Sequence, residues 1–201
     1  MPHRTSCYRG LFAFTVFLAA AGLTRPCAAQ TVGGQARAVQ STVSGLFGPT
    51  TTMLADTGTL DGGTDARQAS ALADSVPSLL SAETLHATTI GSPTGADSEA
   101  SLAGLTMTVG GNSIGADFVM SRVQAVQGAV GTGSTTVSGL SVNGVPIAVD
   151  ESPNQVFAIP GGQIVVNEQQ ISQTSTAVNA LRVTVFGVAD VIVASAMAAV
   201  Q

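Results

Sequence analysis

The sequence predicts an all-β protein: an antiparallel β-sandwich or related multi-hairpin fold of about ten to twelve strands, with room for one short helix. Three observations predict it. Val, Thr, Ala, Ser and Gly dominate from residue 30 onward, and the aromatics there are Phe47, Phe118, Phe157 and Phe186. β-branched residues suit a pleated, half-buried surface better than a helix. Gly, Pro and Asn punctuate the chain roughly every 8–12 residues, the spacing of hairpin turns in sandwiches.

In chain order, the first element is a leader. His3, Arg4 and Arg9 make a basic start, residues 11–23 run apolar without a charge, and Cys27 and Ala29 are small residues before Gln30. Basic start, short apolar run and small-x-small end are the three parts of a secretory signal. The run is shorter than the ~20 residues that span a bilayer. Residues 1–29 are therefore expected to be removed, leaving 30–201 as a single β domain. Lipidation at Cys27 is the weaker alternative, because Arg25-Pro26 is a poor approach to a lipidated cysteine.

Residues 36–46 read as a strand and 50–54 as another, after the Gly48-Pro49 turn. Residues 56–65 form a polar, Gly-rich loop. In 66–76, Ala66, Ala69, Leu72, Ala73 and Val76 fall near helical spacing, which predicts the short helix. Residues 79–90 resume extended structure, and 91–97 read as a loop. Residues 101–109, the Gly110-Gly111-Asn112 turn and 114–123 form a hairpin. A second hairpin runs from 136–142 through Asn143-Gly144, the strongest short turn signal, into 145–149. Residues 156–159, the Pro160-Gly161-Gly162 turn and 163–167 form a further pair. The last hairpin joins 177–185 to 189–196 through Phe186-Gly187. Residues 188–194 are apolar on both faces, which predicts a central strand covered on both sides. Thr42-Val43-Ser44-Gly45-Leu46 recurs identically as residues 136–140. The intervals are unequal, so the recurrences read as hairpins in one sheet system and not as a solenoid.

Charge and composition exclude several functions. Both cysteines lie in the leader, so the domain has neither a disulfide nor a thiolate. Beyond residue 29 remain Arg37, Arg67, Arg122 and Arg182 against twelve acids, with no lysine anywhere, a net charge of −8. Nucleic-acid binding needs clustered cations to displace counterions, and anionic lipid is disfavoured for the same reason. A P-loop is impossible without lysine, and Gly131-x-Gly133 is a turn.

Several segments in series then resemble a known family: 143–147 (Asn-Gly-Val-Pro-Ile), 153–155 (Pro-Asn-Gln), 160–169 (Pro-Gly-Gly-Gln-Ile-Val-Val-Asn-Glu-Gln), 178–185 (Val-Asn-Ala-Leu-Arg-Val-Thr-Val) and 189–196 (Ala-Asp-Val-Ile-Val-Ala-Ser-Ala). The series resembles the choice-of-anchor class of secreted bacterial β domains, over roughly residues 99–198. The resemblance implies an exported extracellular or surface domain. The sequence departs from that class in lacking a sorting motif or hydrophobic tail before Gln201. Relatives carry histidines near the positions of Arg182 and Met197, so a metal site does not carry over.

Candidate chemistry is sparse. Gly111-Asn112-Ser113-Ile114-Gly115 matches a nucleophile elbow, which needs a preceding strand, a following helix and a later histidine. A strand follows instead, and the domain's histidine, His86, lies upstream. Glu83 and His86 are expected on opposite faces of a strand. Asp56, Asp61 and Asp65 on a Gly-rich loop are the donor type a calcium ion takes, without the EF-hand spacing; solvated loop acids are the commoner reading. Asp117 and Asp190 read as strand-start or turn caps, not a catalytic pair.

No cofactor and no enzyme activity is expected. The expected function is a secreted or cell-surface adhesion, matrix or binding module with an extracellular partner, acting as a monomer. A self-assembling subunit that exchanges strands is the alternative, and an extracellular enzyme a distant third.

Overall fold

The structure, a computed structural model, describes residues 31–201; the expected leader and its cleavage position lie outside them. The described residues form thirteen strands and no helix, so none is present that could cross a membrane as a helix. The strands are β1 (Val32–Gly45), β2 (Gly48–Asp56), β3 (Ala66–Val76), β4 (Leu80–Ser92), β5 (Gly95–Val109), β6 (Asn112–Val126), β7 (Thr132–Ser138), β8 (Ser141–Val142), β9 (Val145–Pro146), β10 (Gln155–Ile159), β11 (Gly162–Ile171), β12 (Ser175–Val185) and β13 (Ala189–Val200). They make two antiparallel sheets that pack as a sandwich and do not close into a barrel. The first runs β10-β11-β12-β13-β1-β2 and the second β3-β4-β5-β6-β8-β9, with β7 also paired to β6.

Four expectations need correction. Residues 66–76 are the edge strand β3 and not a helix, because pairing with β4 along the whole length satisfies a backbone whose helical spacing is carried mostly by alanine. The loop at 91–97 contracts to a tight turn, with Ser92 already paired to Gly95. The second hairpin is broken: β7 ends at Ser138, Gly139 takes φ +64°, and β8 restarts at Ser141. The strand count exceeds the expected range as a result. Finally β13 is central, as expected, but covered on one face only. Val191, Val193 and Ala196 are buried in the sandwich while Asp190, Ile192 and Ser195 line the outer face.

The core is made by the alternation of each strand. Its largest buried members are Leu85, Leu102, Met107, Ile114, Ile164 and Leu181. A smaller cluster, with Leu60, Val123, Val178 and Val200, fills the end where β1 starts and β13 stops. There the sheets approach closely. Ser98 Oγ lies 2.7 Å from Thr89 Oγ1 and donates to the Met197 carbonyl of the other sheet at 2.7 Å. A Cβ on Gly34 would stand 2.5 Å from Thr89 Oγ1, so this inward position admits only glycine without rearrangement.

The inward-outward alternation inverts once in most strands, along one line across each sheet. In the first sheet, the pairs Ala38-Val39, Ala180-Leu181 and Val193-Ala194 are buried in succession. Ala55, Ala194 and Asn167 on the same line have positive φ. In the second sheet the successive residues point outward: Leu72-Ala73 and Glu83-Thr84, with Gly104 and Asp117 continuing the line. Such bulges bend a strand without ending its pairing.

Candidate functional site

The residues singled out by sequence do not converge. Ser113 is an exposed residue at the start of β6, its backbone N–H donating to Asn143 Oδ1 at 2.8 Å. It precedes a strand, and His86 lies two strands away, so no elbow forms. Glu83 and His86, expected on opposite faces, share the outer face of β4, because the bulge at Thr84 (φ +49°) inverts the alternation between them. Asp117 lies within β6 on the outward line, not at a strand start. Asp190 does stand near the start of β13, but on the outer face of the other sheet. The two carboxylates therefore have nothing to do jointly.

The Asp loop is organised by a cation the chain supplies itself. Arg67 Nε donates to Asp65 Oδ2 at 2.7 Å and Nη2 to Asp61 Oδ2 at 2.6 Å. Asp65 also accepts the Asp61 N–H at 2.9 Å, and that bond and Arg67 hold its carboxyl below the usual carboxylate range. Asp56 is occupied elsewhere, accepting from Gln35 Nε2 and the Gly58 N–H, both at 3.0 Å. Among the described residues no group of three His, Cys, Asp or Glu is placed to hold a metal.

A second charged network covers the outer face of the first sheet. Arg182 donates to Asp190 with two nitrogens, at 2.9 and 3.1 Å, and to Glu168 at 3.0 Å. Asn179 adds a bond to Glu168 and Thr184 one to Asp190. The hydrogen bonds that Arg182 donates to Asp190 hold its proton more firmly than usual. Every member is satisfied by another, which suits a structural clasp over β11, β12 and β13. On the second sheet, two cross-strand rows, Thr88-Glu99-Arg122-Ser134 and Ile90-Asp97-Gln124-Thr132, border an open furrow of about 400 Å³. Arg122 and Gln124 are already paired to Glu99 and Asp97.

The feature without a structural explanation is one end of the sandwich. Six turns meet there: Leu46-Phe47, 77–79, Gly110-Gly111, Asn143-Gly144, Pro160-Gly161 and 186–188. None contains an ionisable residue. Leu46 and Phe47 are wholly exposed, at 100% and 104%, Phe186 is largely so and Val188 is 42% exposed. Gly48, at φ +110°, takes the left-handed position closing the first turn, which leaves Leu46 and Phe47 free to project. The tips are tied together: the Ser44 N–H donates to the Val188 carbonyl at 2.8 Å, and Phe186 N–H to Gly161 at 2.9 Å. Asn112 Nδ2 reaches the Pro160 carbonyl at 2.9 Å, joining the two sheets at this end.

Sequence reading passes over these four apolar residues, since Leu46 closes a strand and Phe186 opens a turn. The available signal was their residue type: turns favour Gly, Pro, Asn, Asp and Ser, each for a stated reason, and Phe has none of those reasons. Comparison with known proteins returns no matching family model, no matching curated protein and no matching solved structure.

Proposed function

We propose that this chain is an exported, non-catalytic β domain of the choice-of-anchor type, a binding or adhesion module that works as a monomer and makes contact through the six-turn end. The observation that carries this reading is the pairing of exposed Leu46, Phe47, Phe186 and Val188 with an end free of charge. Large side chains left in water on rigid turns gain nothing for the fold, and contiguous exposed apolar surface marks contact sites. The paired state of Arg67, Arg122 and Arg182 supports a non-catalytic role, since each cation is committed to a neighbouring carboxylate.

The test is adsorption of the purified chain from Gln30 onward to alkylated and to bare silica. The chain is expected on the alkylated surface, and the Phe47→Ser/Phe186→Ser variant is expected to lose it while keeping its β circular dichroism. Equal adsorption of both proteins would remove the six-turn end from the reading.

One observation favours the self-assembling alternative. β3 is an eleven-residue edge strand, mostly exposed, with neither lysine nor proline to blunt it. Strand exchange would run through this edge and not through β13, which is internal. Size-exclusion chromatography and electron microscopy separate the readings: filaments abolished by Ala71→Pro would favour assembly, and a single monomer peak the contact module.

A further inference from the structure

We propose that the six-turn end docks on the interface of a neutral, zwitterionic lipid bilayer, with Leu46, Phe47, Phe186 and Val188 entering the headgroup-acyl boundary. The proposal rests on the reading of this end as the contact surface and names its partner.

Shape comes first. Exposures of 100% and 104% mean that none of the other described residues shields Leu46 or Phe47, so the tips are convex projections. A protein partner of ordinary size covers ~800 Å² with a complementary patch. Two projecting turns do not offer that, whereas a fluid interface needs no matching shape.

Charge comes second. Carrying an ionised group into a bilayer is costly, and tips that enter one must be free of them. All six turns at this end are. On the β12–β13 hairpin the nearest ionisable residues, Arg182 and Asp190, stand four and two residues behind the 186–188 turn. At ~3.3 Å per residue the nearer of them, Asp190, lies roughly 7 Å of strand behind the turn. On the β1–β2 hairpin, Arg37 and Asp56 stand farther back still. The uncharged depth matches the ~5–10 Å to which interfacial elements sink.

Preparation comes third. The Ser44–Val188 and Phe186–Gly161 backbone bonds hold the tips in place before contact, so binding orders little further. The net charge of −8 from residue 30 onward opposes an anionic surface, which selects zwitterionic lipid. Thr31 and Gln201 hydrogen-bond to each other beside the start of β1 and the end of β13, at the opposite end of the sandwich.

The experiment is flotation of the chain from Gln30 onward with phosphatidylcholine vesicles. The unaltered chain is expected to float, and Phe47→Ser/Phe186→Ser to bind at least tenfold more weakly, as burial of an aromatic side chain contributes about a decade or more in partition. Adding phosphatidylserine should weaken binding. In a second readout, Phe47→Trp should shift its emission to the blue with vesicles, while Val130→Trp, remote from these tips, should not. Failure of the unaltered chain to float, undiminished flotation of the double variant, or binding that requires phosphatidylserine would each overturn the proposal. A chain that adsorbs to alkylated silica through these tips yet ignores vesicles overturns the lipid assignment alone and leaves the contact-end reading standing.

Discussion

Thr-Val-Ser-Gly-Leu occurs twice, and its two leucines meet opposite fates. Leu46 is wholly exposed on a hairpin tip, and Leu140 is 3% exposed in the core. The difference lies in the glycine before each. Gly139 turns left-handed (φ +64°) beside the Asp117 side chain and drives the chain inward, while Gly45 stays paired to Gly48. Leu140→Ala should therefore cost ~2–5 kcal/mol of stability in chemical denaturation, and Leu46→Ala less than ~0.5 kcal/mol. Equal effects would show that the two leucines do not differ in burial as described.

The Asp loop gives a prediction of opposite character. Asp65 is held below the usual carboxylate range, first by the Asp61 N–H and then by Arg67. A depressed carboxyl stabilises the fold fully at neutral pH and loses that contribution as pH falls through ~4 and below. The stability gap between the natural chain and Asp65→Asn should accordingly be present at pH 7 and close towards pH 3. Because Arg67 already satisfies Asp61 and Asp65, thermal melts with calcium and with a chelator should coincide; a stabilisation by calcium would restore the ion site.

Among the elements, β13 has the largest consequences. It pairs with β12 on one side and β1 on the other, and Val191, Val193, Ala194, Ala196 and Ala198 are buried against the second sheet. Burial of each Val contributes roughly 1.5–3 kcal/mol, so the strand as a whole rivals the stability of a domain. Deleting residues 188–201 should abolish the cooperative unfolding transition, read by circular dichroism. A truncated chain that still melts cooperatively as a monomer would mean that β1 and β12 can close the gap without it. β3 marks the limit of element-level reasoning. Its alanines suit either state, and the pairing with β4 decides.

For the whole molecule, topology couples the two sheets. The chain lays down β1 and β2, builds the whole second sheet, and returns for β10 to β13. The first sheet is complete only when β13 reaches β1, across nearly the full chain length. Neither sheet can bury its inner face alone, so a single unfolding transition is expected, with far-UV circular dichroism and hydrogen exchange of β5 and β13 reporting one midpoint. Folding should be slow for the size, in milliseconds to seconds or longer, because most pairings are non-local. Two separated midpoints would show that the sheets are independent.

Period-two alternation, β-branched composition and turn residues at regular intervals were enough to specify an all-β sandwich, its main hairpins and an internal final strand. These are local signals: each states which face a residue prefers or which turn a glycine permits. The tertiary structure decided the rest. That β13 lies beside β1, that a line of bulges puts Glu83 and His86 on one face, and that Arg67 gathers Asp61 and Asp65 all depend on neighbours distant in sequence. The six-turn end is the clearest case. Leu46 and Phe186 are 140 residues apart, and only the pairing of β13 with β1 brings their turns side by side on the same uncharged end. A sequence records that both side chains are apolar; whether water or protein surrounds them is set by what the rest of the chain leaves uncovered.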